Sequence, residues 1–394
     1  MPDGTAERLR LRRIRQGLAV LALVLFAAKA VVAYRTVGTD DALFWRVFAA
    51  TVRRVGPVDI YAQHLLIRYN HPPPVGWLLV GLNRLTDLGL PFLFLIKLPS
   101  CLADVGSTFV VFELLRHRRP LRQAVAGAVV VATSPVLFLV SGFHGNTDPV
   151  FVFFTLLAVW LLVDADRPVL SGLAMAAAVG IKLVPVIVVP AVLAAAVRRD
   201  RGVAWAAAAG SAVLATWLPA VAREYSAMRS NVFGYAGQTG EWGITAVLRS
   251  VRATGAIDAY AGAGRYAVVI AAALPAAYWA WRQPEALPSA VGLSLLSFLV
   301  LSPAFAPQYL SWVVAAGVLV SPVLGAVYSA VAGTLLLVLY SQWSGGFPPY
   351  HAHPRPATGF DLAMNLAAWL VLLCWLAIGV RQFVAATAWH ARRA

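Results

Sequence analysis

Long apolar runs, joined by links too short to fold on their own, repeat along this chain from residue 16 to residue 386. A helix needs about 20 apolar residues to cross the ~30 Å hydrocarbon layer of a bilayer, and fewer when other helices enclose it. The runs place spans at 16–36, 91–115, 121–141, 148–164, 168–183, 184–198, 203–222, 264–281, 286–302, 307–320, 322–341 and 360–386. With 60% hydrophobic residues and 12% charged ones, a soluble domain of this length has no way to hide its apolar surface, whereas a bilayer removes the problem. The strand alternation of an outer-membrane barrel is missing. The expected fold is an all-α polytopic membrane protein, one domain over residues 1–394, with about 12 transmembrane helices. The split at Lys182-Leu-Val-Pro185 rests on two short flanking spans. Pro74 to Leu85 is too short to span and reads as a helix at the interface after Pro72-Pro73-Pro74.

Basic residues set the threading. The stretch Arg8 to Arg15 carries five arginines ahead of the apolar segment 17–34; no small-residue cleavage site follows, so an uncleaved first helix is expected. With that cluster in the cytoplasm, the links Arg116 to Arg122, Asp164 to Arg167, Arg198 to Arg201, Arg282 and Arg392-Arg393 all fall inside. Both termini are then cytoplasmic and the membrane is the cell's inner one. The opposite links are TDD at 39–41, YNHPPP at 69–74, SGFHGNTDP at 141–149, residues 223–263, SPAFAPQY at 302–309 and SGGFPPYHAHPRP at 344–356. Every motif-like segment therefore shares one extracytoplasmic face. Two outer loops are large, 37–90 and 223–263.

The net charge of +15 comes from 29 Arg and three Lys, which suits contact with anionic membrane lipid and not nucleic acid. No Gly-rich phosphate loop of the Walker kind is present, which argues against primary active transport. Cys101 and Cys374 both lie in apolar runs and indicate no disulfide.

Among the outer segments, loop 37–90 carries Trp45, Tyr61, Tyr69 and Trp77 beside Asp40, Asp41, Arg46, His64 and His71. Aromatic faces suit sugar rings, and Asp or His takes a proton from a hydroxyl. The outer arginines Arg223, Arg229, Arg249, Arg252 and Arg265 run against the topology rule, and guanidinium matches phosphate, though lipid headgroups suit them equally. On their own, Asp40 and Asp41 fit a solvated helix-end turn as well as a reactive site. Asp148, followed by Pro149, fits a helix cap, and Lys182 fits a snorkelling cation. Asp104 lies seven residues after Lys97 on one helical face, which suggests an internal ion pair. His351 and His353 stand two apart in a Pro-rich loop, and no cluster has convincing metal spacing, so no metal and no cofactor are expected.

The run Thr39 to Phe48, then Ile60-Tyr61, then Tyr69 to Leu79, resembles the start of GT-C glycosyltransferases. It is most similar to the actinobacterial polyprenyl-phosphate-mannose-dependent mannosyltransferases and the glycosylphosphatidylinositol mannosyltransferases. Three further segments resemble theirs: Gly142 to Asp148, with Asn146 where Gln is common; Lys182-Leu-Val-Pro185; and Ser302 to Trp312. The 223–263 loop matches none of their motifs. The resemblance implies a GT-C-like bundle whose long first outer loop carries interfacial helices. It implies an inverting transferase moving a sugar, mannose foremost, from polyprenyl phosphate to a hydroxyl of a lipid- or glycan-linked acceptor. By the family's spacing Asp41, ahead of Trp45 and Arg46, is the base and Asp40 its alternate. Arg46, His71 and Lys182 would meet the donor phosphate; Trp45, Tyr69, His144, Asn146, Asp148, Gln308 and Tyr309 would shape the sugar and acceptor site. A transporter or flippase of lipid-linked sugar, in which the carboxylates couple, and a polysaccharide polymerase or ligase are the alternatives. Transporters favour repeated broken helices and mid-membrane polar groups, of which this chain shows only Asp104.

Overall fold

The computed structural model describes residues 4–235 and 237–391, so Arg392 and Arg393 lie outside the described residues. Its α-helices are α1 (Gly4–Arg35), α2 (Asp40–Asp59), α3 (Pro73–Asp87), α4 (Phe92–Leu95), α5 (Leu98–Arg116) and α6 (Leu121–Thr133). There follow α7 (Pro135–Leu139), α8 (Asp148–Val163), α9 (Pro168–Ile181), α10 (Val189–Arg198), α11 (Gly202–Met228) and α12 (Gly243–Ser250). The last are α13 (Thr254–Ala259), α14 (Arg265–Arg282), α15 (Leu287–Leu301), α16 (Val314–Val318), α17 (Pro322–Ser344) and α18 (Gly359–Ala391). Helices dominate because each closes its backbone hydrogen bonds internally, which the interior of a bilayer demands.

Among the described residues eight helical stretches are long and apolar enough to cross a membrane. Three more apolar helices, α8, α9 and α10, are shorter, which departs from twelve full spans. α8 is enclosed by α5, α9 and α15 and buries Phe151, Leu156, Val159 and Leu162. An enclosed helix faces protein instead of lipid and need not match the bilayer thickness. The run 307–320 is not one helix. It is a 3₁₀ turn, Pro307–Ser311, followed by α16, and every residue from Gln308 to Val320 is buried. Irregular backbone is tolerated at membrane depth when protein surrounds it.

The links segregate to two ends of the bundle. At one end Arg118 pairs with Asp164, Arg199 with Glu285 and Arg201 with Asp166, tying the short basic links together. At the other end two short β pairings gather the long loops. β1 (Gly38–Thr39) runs parallel to β4 (His351–Ala352), and β2 (Gln238–Thr239) runs antiparallel to β3 (Ala304–Phe305). Loop 37–90 carries α2 and α3, packed on each other, with Pro74 against Gly180 of α9. Close helix approach also depends on small residues: a Cβ on Gly172 would stand 2.5 Å from the Trp205 carbonyl oxygen.

The expected Lys97–Asp104 pair is absent. Asp104 instead bonds Lys29 of α1, Nζ to Oδ2 at 2.5 Å, with both side chains buried. Lys97 turns to the end of α1 and donates to the carbonyl oxygens of Thr36 at 2.9 Å and Ala33 at 3.4 Å. Seven residues bring two side chains back to one helix face but leave them about 10 Å apart along the axis, beyond ion-pair reach.

Candidate active site

The turn between α1 and α2 aims Asp41. Gly38 has φ +97°, and a Cβ there would meet the Phe143 carbonyl oxygen at 2.3 Å, so only glycine fits both the backbone and the space. Thr39 Oγ1 donates to the His144 carbonyl oxygen at 3.0 Å, and Lys97 Nζ holds the Thr36 carbonyl just before the turn. The chain thus enters α2 pinned to the SGFHGNTDP segment, with both aspartates in the first helical turn.

The two aspartates face different partners. Asp41 Oδ2 accepts from His144 Nε2 at 3.1 Å, Asn146 Nδ2 at 2.8 Å and Gln308 Nε2 at 3.3 Å. Among the described residues its Oδ1 takes no hydrogen bond, and the side chain stays 33% exposed. Burial pushes the Asp41 carboxyl up. The His144 and Asn146 hydrogen bonds and the nearby Lys182 charge outweigh that and hold it below its ordinary value of 3.8. Asp40 is held by the 344–356 loop, with His351 Nε2 at 3.0 Å and His353 Nδ1 at 2.7 Å on its two oxygens. Those histidines stand beside Asp40 because β4 pairs with β1. Among the described residues no group of three or more His, Cys, Asp or Glu is arranged to hold a metal ion.

A second layer supports the first. With Asp41 ionised, His144 donates through Nε2, and its Nδ1 accepts from the Tyr340 hydroxyl at 2.7 Å. Asp148 is fully buried with both oxygens engaged, Oδ1 by Lys182 Nζ at 2.5 Å and Oδ2 by Trp312 Nε1 at 2.8 Å. Among the described residues neither oxygen takes a hydrogen bond from a backbone N–H of α8. Lys182 lies 4.9 Å from the centre of the Tyr309 ring and 5.1 Å from that of Trp312, and these rings stack on each other at 4.0 Å. The Lys182 side chain remains 22% exposed. It therefore neutralises Asp148 while part of its surface stays exposed.

On the α2–α3 side, His71 stacks on Trp45 with ring centres 4.1 Å apart. Burial, with the Lys182 charge adding to it and Asp41 opposing, pushes the His71 imidazole down to about 3, so it is neutral at physiological pH. Tyr69 packs beneath it against Phe48 and Tyr61, buried, its hydroxyl without a hydrogen-bond partner among the described residues.

Asp41, His144, Asn146 and Gln308 are thus in direct contact, and Asp148, Lys182 and Tyr309 form a cluster beside them. Trp45, His71 and Tyr69 build a wall. Arg46 lies elsewhere: five residues after Asp41 it is rotated about 140° around α2, and it is exposed, with no hydrogen bond to the cluster. Sequence reasoning missed Tyr340, Trp312 as a ligand of Asp148, and Tyr235. Tyr235 stands within reach of Asn70 and Tyr309; burial, with the charge of Asp41 adding to it, raises its phenol pKa. The signal for Tyr340 was faint, one hydroxyl at the end of an apolar run.

A multi-pass helical membrane protein with a carboxylate, amides, histidines and a lysine converging at one end of its bundle has the parts of a membrane-embedded group-transfer enzyme. The family comparison makes this specific. The family described as "Glycosyltransferase family 87" matches residues 69–307, more than half of the chain. The chain belongs to glycosyltransferase family 87, a GT-C-type family of membrane glycosyltransferases. The matched stretch takes in His71, His144, Asn146, Asp148 and Lys182 and stops short of Gln308. Asp40 and Asp41 precede it. No curated protein matches the chain.

Proposed function

We propose that this glycosyltransferase moves a sugar, mannose in our reading, from a polyprenyl-phosphate donor to a hydroxyl of a lipid- or glycan-linked acceptor on the extracytoplasmic face. The observation that carries the reading is Asp41 itself: three donors fix Oδ2, while among the described residues Oδ1 takes no hydrogen bond, and the side chain stays one-third exposed under the influence of the Lys182 charge. In an inverting displacement the acceptor oxygen attacks the anomeric carbon as the bond to the phosphate oxygen breaks. The acceptor proton passes to Asp41 Oδ1, and the bonding electrons leave on polyprenyl phosphate. The hydroxyl becomes acidic only as its new bond forms, so a carboxylate of low basicity serves as a late general base. Lys182 meets the charge growing on the phosphate, and neutral His71 offers a hydrogen bond without adding charge. Tyr235, about half exposed, supplies a face for the sugar, while buried Trp45 and Tyr309 back His71 and Lys182 from behind. No metal enters this scheme.

Asp40 acts on Asp41 from outside the reaction, as the tether that fastens the 344–356 loop to the catalytic turn. Asp40→Asn is expected to slow transfer by about tenfold, well short of the loss from removing the base. Steady-state rates of the two variants side by side check this, and equal losses would contradict the division of roles. Lys182→Met is expected to lower kcat by about tenfold to a hundredfold with a smaller change in donor KM; a change confined to KM would show that Lys182 only binds.

The reading is tested with purified protein given labelled polyprenyl-phosphate mannose and a membrane glycolipid extract. Labelled glycolipid is the expected product. Transfer only from a pyrophosphate-linked sugar lipid would instead indicate a polymerase or ligase.

A further inference from the structure

We propose that the end of the bundle remote from Asp41 carries a binding site for an anionic phospholipid, seated between α1 and α6. A cavity of about 700 Å³ opens there, lined by Arg10, Arg13 and Arg122 together with Leu9, Ile14 and Val125 among others. Roughly 38 Å of helix separates Arg10 from Arg35, where α1 reaches the Asp41 turn, so this site shares no residue with the transferase chemistry.

The three arginines differ from nearby Arg15 and Arg116. Arg15 and Arg116 are both held by Glu113. Arg10, Arg13 and Arg122 have no acidic partner among the described residues, although they converge on one cavity from two helices. Three cations held together without a counter-ion repel one another, and an anion placed between them removes that cost. Guanidinium forks match phosphate oxygens in particular.

The apolar half of the lining identifies the anion's carrier. Leu9, Ile14 and Val125 alternate with the arginines, and beyond them α1 continues into an outward-facing apolar run that includes Val20, Leu23 and Val24, each more than half exposed. A free phosphate would leave that wall unused, and an acidic peptide would carry its backbone into hydrocarbon. A phospholipid satisfies both halves, its phosphate among the arginines and its acyl chains along α1. Basic pockets between helices at the membrane surface have this chemistry.

Native mass spectrometry of the purified protein in detergent, with phosphatidylglycerol and phosphatidylcholine offered in equal amounts, tests the site. Retention of phosphatidylglycerol is expected, falling roughly tenfold in Arg10→Gln/Arg13→Gln/Arg122→Gln. The control Arg53→Gln/Arg54→Gln/Arg84→Gln, equal in charge but on α2 and α3 at the opposite end, should retain lipid normally. Equal losses in both triple variants, or no preference between the two lipids, would overturn the proposal. So would inorganic phosphate binding the arginines as tightly as the lipid does. In case the triple variant does not fold, a photoreactive phosphatidylglycerol offered to the unaltered chain should label α1 between residues 6 and 14 or α6 between residues 121 and 125. Labelling spread evenly over the lipid-facing helices would contradict the site.

Discussion

Asp41→Asn is expected to lower kcat by about 10²- to 10⁴-fold while leaving the fold and the donor KM nearly unchanged. The amide oxygen of Asn accepts the same bonds from His144, Asn146 and Gln308 that Asp41 Oδ2 accepts now, so the local architecture survives. What changes is the other position, where an NH₂ group replaces the oxygen to which the proposed mechanism passes the proton. Steady-state rates together with an unchanged thermal unfolding midpoint check both halves of this expectation. The pH profile gives an independent reading. In the proposed mechanism the reactive form is the carboxylate, and its pKa is held below 3.8, so the acid limb of kcat/KM is expected below that value. His71, pushed down to about 3, stays neutral across the working range and adds no limb near neutrality. A limb near pH 6 would assign the base to a histidine. The same shift has a stability counterpart. Ionised Asp41 contributes stability above its unfolded pKa, and that contribution is lost as pH falls through the lowered folded one.

The second large effect lies within the bilayer. Asp104→Leu strands Lys29 without a partner in a buried position, and removing one member of a buried pair costs about 3–5 kcal/mol. Replacing both, Lys29→Met with Asp104→Leu, exchanges the pair for apolar side chains of similar volume and should recover most of the loss. Thermal unfolding in detergent is expected to show a clear drop for the single variant and near-normal behaviour for the double. A neutral single variant would mean that the pair does not bear on stability. The pair joins α1 to α5 one layer beneath Lys97, which grips the end of α1 at the Asp41 turn.

Much of this architecture is legible in the sequence because its cause is local. Apolar length announces the spans, and basic links separate the two ends. TDD, SGFHGNTDP and PQY therefore fall together before any distance is known. Where distant parts of the chain decide the outcome, sequence falls short. Asp40 and Asp41 are neighbours of the same type; what distinguishes them is His351 and His353, more than 300 residues away and delivered by the pairing of β4 with β1. Lys97 and Asp104 share a helix face, yet axial distance keeps them apart and Lys29 from another helix takes the partner's place. Arg46 lies close to Asp41 in sequence but around the helix from it. The run 307–320 is apolar enough to span, but full burial lets it break into a turn and a short helix, which places Gln308 on Asp41 and Trp312 on Asp148.

The central claim, a single carboxylate base serving an inverting transfer from a polyprenyl monophosphate, is tested most directly by the stereochemistry of the product. A donor of known anomeric configuration, supplied to the purified enzyme with glycolipid acceptor, should yield a glycoside of the opposite configuration by NMR. Retention of configuration would require a covalent or two-step path that one free Asp41 oxygen does not provide, and would contradict the account.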